Sequence, residues 1–258
     1  MSDIAPISAV VTTLSIIEAM SEADGPVGVS NLARATGVTK PRIYRHLRTL
    51  LDRGYVAQDP DTDKYALTLR LFHIGQTIAE KVEFLTEARR VMPALRDRAG
   101  QTVTIGQVEE EGVRVVDILR HRSAFEITTT PGALFDFHSS AQGKVALAFG
   151  PARLWRALEG TELRRWTEKT VTDLASLRAE VDQTRSSGWA VAPEEALIGI
   201  NALAAPIFDA AGTLVGTITL VGSVQFLASH PNADQIAAIC EAARQVSAQL
   251  GFREAAAE

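Results

Sequence analysis

One cysteine, Cys240, stands in 258 residues, so an internal disulfide and a site of paired thiolates are both excluded. No His-Glu-x-x-His, Gly-rich phosphate loop or Gly-x-Ser-x-Gly elbow occurs. Glu194-Glu195 is a carboxylate pair, but neighbours on a strand face opposite ways and do not converge on a substrate unless the loop bends. No enzyme, cofactor or metal site is therefore expected. No stretch is apolar for the roughly 20 residues a membrane span needs, and Met1 to Pro6 lacks the basic start and apolar run of a signal peptide. The expectation is a cytoplasmic protein with no membrane partner. Hydrophobic residues make up 46% of the chain, enough for a real core, and the length suits two domains better than one.

An excess of basic charge is also missing: 26 Lys and Arg face 31 Asp and Glu. Its distribution says more than its total. From Arg34 to Arg53 six basic residues (Arg34, Lys40, Arg42, Arg45, Arg48, Arg53) are opposed only by Asp52, a local +5. Such a patch is what a phosphate-docking face looks like.

Around that patch the periodicity is helical. Ile7, Val10, Val11, Leu14, Ile16 and Ile17 recur at spacings of three and four, predicting an amphipathic helix from Pro6 to about Glu22, opened by proline and stopped by Asp24-Gly25-Pro26. Ser30 is the expected cap of a short helix over residues 31–36 that ends at Gly37. Thr39 is the expected cap of the next, Lys40 to about Arg53, with Pro41 early and Ile43, Leu47, Leu50 and Leu51 as its buried stripe. Tyr55–Gln58 and Lys64–Leu67, alternating about Asp59-Pro60-Asp61-Thr62-Asp63, predict a β-hairpin. Two helices joined by a short turn, followed by a hairpin, make a winged helix-turn-helix. Its second helix would enter the major groove of duplex DNA, with Arg42 and Arg45 reaching base edges. Thr39, Lys40, Tyr44 and Arg48 would grip phosphates, and Pro41 completes the DNA-facing set. A solvated basic face mediating protein contacts is the bland alternative.

Beyond the wing, residues 69–81 and 84–99 read as helices. Then the period shortens. Strands are expected at 102–108, 113–120 and 125–130, helices at 140–149, 151–158 and 173–187, strands again at 189–192, 201–208 and 213–222, and a last helix at 233–250. The class is α+β, with one mainly antiparallel sheet.

Four segments, in this order, resemble the IclR-type bacterial transcriptional regulators. They are Gly37-Val38-Thr39-Lys40-Pro41-Arg42-Ile43-Tyr44-Arg45-His46-Leu47; Phe137-His138-Ser139-Ser140-Ala141-Gln142-Gly143-Lys144; Gly188-Trp189-Ala190-Val191 with Glu194-Glu195 and Gly199; and Ala204-Ala205-Pro206-Ile207-Phe208-Asp209 before Gly212. The resemblance covers nearly the whole chain. It implies a DNA-binding domain over residues 1–68, a linker helix over 69–83 and a GAF-like effector-binding domain over 84–258. It also implies operator DNA as partner and assembly as a dimer or a dimer of dimers. Carried over by position, the effector pocket would comprise Leu134, Phe137, Ser139, Ser140, Ala141, Gln142, Trp189, Ala192, Asn201, Ala202, Thr219 and Val221. Where relatives that bind small keto acids have an acidic residue, a cysteine and two serines, this sequence has Ala192, Ala202, Thr219 and Val221. A pocket stripped of those polar groups favours an effector with a sizeable apolar part, an aromatic carboxylic acid of a catabolic pathway. Its carboxylate could meet the helix start at Ser139-Ser140, or those serines could merely cap the helix. Arg120, His121 and His138 are other candidate anion partners, against structural roles. Phe135, Phe137 and Trp189 could wall the pocket or be ordinary core. Repressor is the reading taken, with activator open, and a sensor or scaffold that never touches DNA is the alternative.

Overall fold

The computed structural model describes residues 6–81, 83–122 and 129–253. The chain forms two compact units, Met1–Glu80 and Lys81–Glu258. The first contains α1 (Ser8–Ser21), α2 (Val29–Thr36), α3 (Lys40–Asp52), β1 (Val56–Gln58), β2 (Tyr65–Leu67) and α4 (Leu69–Lys81). Its core joins every layer: Ile16 and Met20 of α1, Leu32 of α2, Ile43, Leu47 and Leu50 of α3, and Val56 and Tyr65 of the wing. Leu51, expected in the buried stripe, is only half-buried.

Two helix starts differ from expectation, and a third holds without its expected side-chain bond. Pro6 lies before α1, whose cap position is Ile7. Gly28, not Ser30, takes the cap position of α2. The cause is a backbone bridge in which Val27 and Tyr65 exchange N–H···O bonds of 2.8 and 2.9 Å. This holds the chain extended up to Gly28, so the helix begins at Val29 and Ser30 falls inside its first turn. Thr39 caps α3 with extended backbone but without a side-chain bond. Gly37 closes α2 at φ +68°, a left-handed conformation that glycine adopts without a Cβ clash.

The second unit contains α5 (Glu83–Ala99), β3 (Thr102–Val108), β4 (Val113–Leu119), β5 (Leu134–Phe135), α6 (Ala141–Phe149), α7 (Arg153–Arg156), α8 (Leu174–Ser187), β6 (Ala190–Pro193), β7 (Ile200–Phe208), β8 (Leu214–Ser223) and α9 (Ala233–Gln249). Its six strands run in the order β5-β4-β3-β8-β7-β6, every pair antiparallel. The expected strand at 125–130 falls largely outside the described residues, and Thr129 and Thr130 are not in a strand. The two-residue β5 was not expected. Helix 151–158 shrinks to the single turn of α7.

Register places the faces. Ala202 pairs with Ala192 and Val221, and Ala204 with Ala190 and Thr219. On that face the small side chains Ala190, Ala192 and Ala204 pack against Ala141 and Val145 of α6. α8 packs on α6, while α5 and α9 pack on each other and against the sheet. α6 is buried from Ala141 to Ala148, polar residues included. Its approach is so close that a Cβ on Gly143 would lie 2.5 Å from Phe137 Cα, which is why glycine stands there.

Leu47 is fully buried where α3 meets the rest of the first unit. Leu47→Ala is expected to destabilise that unit by about 3 kcal/mol, read from its urea or thermal unfolding transition.

Candidate functional sites

In the first unit Lys40, Tyr44, Arg45 and Arg48 are exposed on α3, opposite Ile43 and Leu47, and Thr39 and Pro41 are exposed at its start. Arg48 makes a 3.5 Å contact with Asp52, both more than half exposed, a pair too well solvated to hold Arg48 firmly. Arg42 is placed differently. Its guanidinium donates to Ser8 Oγ at 2.5 Å, Thr12 Oγ1 at 3.0 Å and the Ser8 carbonyl at 3.3 Å. It is half-buried and fastens α3 to α1, so the sequence reading that paired it with Arg45 as a base reader does not match its position. His46 makes the neighbouring link, 2.8 Å from Thr13 Oγ1. Burial, with Arg42 and Arg45 nearby, holds the His46 imidazole below its usual range and so favours the neutral ring.

In the second unit a cavity of about 290 Å³ opens between the sheet and the start of α6. Thr104, Val115, Ala192, Ala202, Thr219 and Val221 line it from the strands; Ser139, Ser140, Ala141 and Gln142 line it from the helix start. Phe135 and Thr129 close one side, and Ala196, Leu197 and Ile200 the other. No Lys, Arg or His lines it among the described residues. Ser140 caps α6: it accepts from Gly143 N–H at 3.1 Å, donates to the Asp136 carbonyl at 2.7 Å, and its own carbonyl receives Lys144 N–H at 3.0 Å. The N–H groups of Ala141 and Gln142, in the first turn at the positive end of the helix, have no partner within the helix, and both residues line the cavity. At its inner end Gln142 reaches the Val113 carbonyl at 3.4 Å, with the Thr219 hydroxyl 3.5 Å away.

Nine of the twelve effector-site residues named from sequence line this cavity, and the other three, Phe137, Trp189 and Leu134, do not. Phe137 is fully buried in the core on α6, packed with Leu147 and Leu177. Trp189 lies one residue before β6 and faces a separate cleft with Gln183 and His230. Leu134 is 38% exposed and is not in the lining. Asn201 is in the lining, while its side-chain amide donates to the Leu227 carbonyl at 2.6 Å. The other anion candidates lie elsewhere too. His138 bonds the Arg164 carbonyl through its ring, Arg120 bonds the Thr129 carbonyl, and neither they nor His121 line the cavity. Sequence reasoning missed Thr104, Val115, Thr129, Ala196, Leu197 and Ile200. For Thr104 the signal was available, since it lies across the β3–β8 ladder from Thr219.

Comparison with known proteins settles the family. Residues 76–248 match the model of the bacterial transcriptional regulator IclR C-terminal domain, and residues 9–60 match the IclR helix-turn-helix domain. The chain belongs to the IclR family. It is 28% identical to the HTH-type transcriptional regulator KdgR of Escherichia coli over 96% of this chain and 94% of that one. It is 31% identical to the glycerol operon regulatory protein of Streptomyces coelicolor, over 87% and 89%. An IclR homologue from Microbacterium hydrocarbonoxydans, solved in complex with 4-hydroxybenzoate, shares the fold at a TM-score of 0.84 and 20% identity, over 94% of this chain and 99% of that one. The protein is thus a DNA-binding transcriptional regulator and not an enzyme. No helix among the described residues is long and apolar enough to cross a membrane.

Glu194 and Glu195, in this IclR chain, do diverge. Glu194, at φ +55°, pairs with Lys169 and accepts from Gly199 N–H at 2.9 Å; those bonds hold its carboxyl below the usual range. Glu195 turns inward to Lys144. Ser140→Ala removes the α6 cap and is expected to cost about 1 kcal/mol in thermal unfolding of the second unit.

Proposed function

We propose that the protein is a repressor whose operator binding responds to an aromatic carboxylic acid held in the cavity at the start of α6. The observation that carries this reading is the cavity itself: mostly apolar walls, a volume that suits one small ring, and the start of α6 in its lining with no side-chain cation among the described residues. The ring would lie among Val115, Phe135, Ala202 and Val221, with the carboxylate at Ala141 and Gln142. The 4-hydroxybenzoate complex of the Microbacterium homologue supports the ligand class.

DNA would be read by α3, with Arg45 bidentate to a base edge and Lys40, Tyr44, Arg48 and Thr39 on phosphates. A dimer fits this reading. Ile7, Val10, Val11 and Leu14 recur along one exposed line of α1, each 48–71% accessible, and a second copy covering that line would pair two reading helices for a two-fold operator. The ligand would favour one arrangement of the paired chains, and α4, which leads from the first unit toward the second, would carry that preference.

Titration of the full-length protein against DNA flanking its own gene, with and without 4-hydroxybenzoate, tests the reading. Salt-sensitive, site-specific binding that the acid alters by about fivefold or more is expected; equal binding to unrelated duplex, unmoved by any aromatic acid, would contradict it. Arg45→Ala is expected to lose roughly tenfold or more of specific affinity with the unfolding transition unchanged. Leu14→Glu is expected to shift the sedimentation profile toward monomer.

A further inference from the structure

Beside the cavity the protein buries a charge cluster that regulator function alone does not explain. Lys144, on the second turn of α6, has a side chain only 2% exposed. Its ammonium lies 2.6 Å from Glu195 Oε1, 2.6 Å from Glu180 Oε2 on α8 and 3.2 Å from the Val191 carbonyl on β6. One cation therefore serves two carboxylates. Glu195 is 4% exposed in its side chain, and its second oxygen, Oε2, has no hydrogen-bond partner.

The position of this cluster gives it a consequence. Glu195 is followed directly by Ala196, Leu197 and Ile200 of the cavity wall. Lys144 is two residues from Gln142 at the helix start. Both Lys144 and Glu195 also line a cleft formed by α8, β6 and residues 229–231 on the far side, which gives protons a route to the cluster. Thr170 fixes the Glu195 carbonyl at 2.7 Å, so the segment is held at its backbone as well as by the ion pair.

We propose that Glu195 is a positioning residue for the cavity and takes up a proton when an anionic ligand binds, so that ligand sensing is coupled to pH. This rests on the reading that the cavity takes a carboxylate. With Glu195 ionised the cluster carries a net negative charge behind the wall formed by Ala196 and Leu197; with it neutral, Lys144 and Glu180 cancel. Oε2 is the free oxygen and accepts the proton, while Oε1 keeps accepting from Lys144, so the wall stays anchored in both forms but less firmly once Glu195 loses its charge. Burial raises the Glu195 carboxyl to about 7, against the opposing pull of Lys144, and this puts the change near neutral pH. The other charges facing it are Glu180 from α8 and, past Glu194, Lys169; His230 lies exposed on the cleft rim. An adjacent anion raises the Glu195 value further, and linkage then requires the anion to bind more tightly as pH falls.

The test is calorimetric titration of the full-length protein with benzoate and with the neutral benzamide at pH 6 and pH 8, for wild type, Glu195→Gln and His230→Ala. Wild type is expected to bind benzoate about threefold or more tightly at pH 6 than at pH 8, with proton uptake seen as a dependence on buffer ionisation heat. Benzamide is expected to bind alike at both. In Glu195→Gln the benzoate dependence disappears and affinity stays near the pH 6 value; in His230→Ala it persists. A pH-independent benzoate affinity in wild type, or a dependence that survives in Glu195→Gln, overturns the proposal. If neither probe binds, the assigned ligand class fails, and amide exchange of residues 196–200 decides the positioning role separately. Equal protection in wild type and Glu195→Gln at both pH values overturns it; a difference that grows from pH 6 to pH 8 upholds it.

Discussion

The burial of α6 is the constraint from which the second unit follows. A helix covered along eight consecutive residues has no solvated face on which to place polar side chains, yet it carries Gln142 and Lys144. Each must find a partner in the interior, because an unpaired buried polar group or charge costs several kcal/mol. Gln142 turns to β4 and β8 and becomes the inner end of the cavity; Lys144 passes β6 to Glu195 and Glu180. Small residues permit this depth. Ala141, Ala190, Ala192, Ala202 and Ala204 let helix and sheet approach, and what their missing side chains do not fill near the helix start remains as the cavity.

The first unit obeys a different constraint, the single core that ties three helices to the wing. Because Ile43, Leu47 and Leu50 of α3 all point inward, Lys40, Tyr44, Arg45 and Arg48 are left on the outer face. The face proposed to read DNA is in this sense a by-product of core periodicity. Arg42 and His46 fall between the two faces, and they tie α3 to α1.

The helix-turn-helix was legible because its signals are local: a 3.6-residue stripe, Gly37 after a helix, Pro41 at a helix start. The start of α2 was not, since the Val27–Tyr65 bridge that sets it joins residues far apart in sequence. In the second unit most strands could be read from alternation, and position-by-position likeness to relatives placed Ser139 to Gln142, Ala192, Ala202, Thr219 and Val221 on one cavity. The same likeness also named Phe137, Trp189 and Leu134, which do not line it, since facing depends on strand register and on which surface α6 covers. The Lys144–Glu195 pair was out of reach for a related reason: 51 residues separate partners that meet only when α6 crosses the edge strand.

The most direct test of the account is a structure of the protein with an aromatic acid bound, 4-hydroxybenzoate being the first choice. The account predicts the ring between Phe135 and Val221 and the carboxylate within hydrogen-bond distance of the Ala141 and Gln142 N–H groups. An acid bound in the cleft beside Trp189, or in the cavity with its carboxylate turned away from α6, would contradict it.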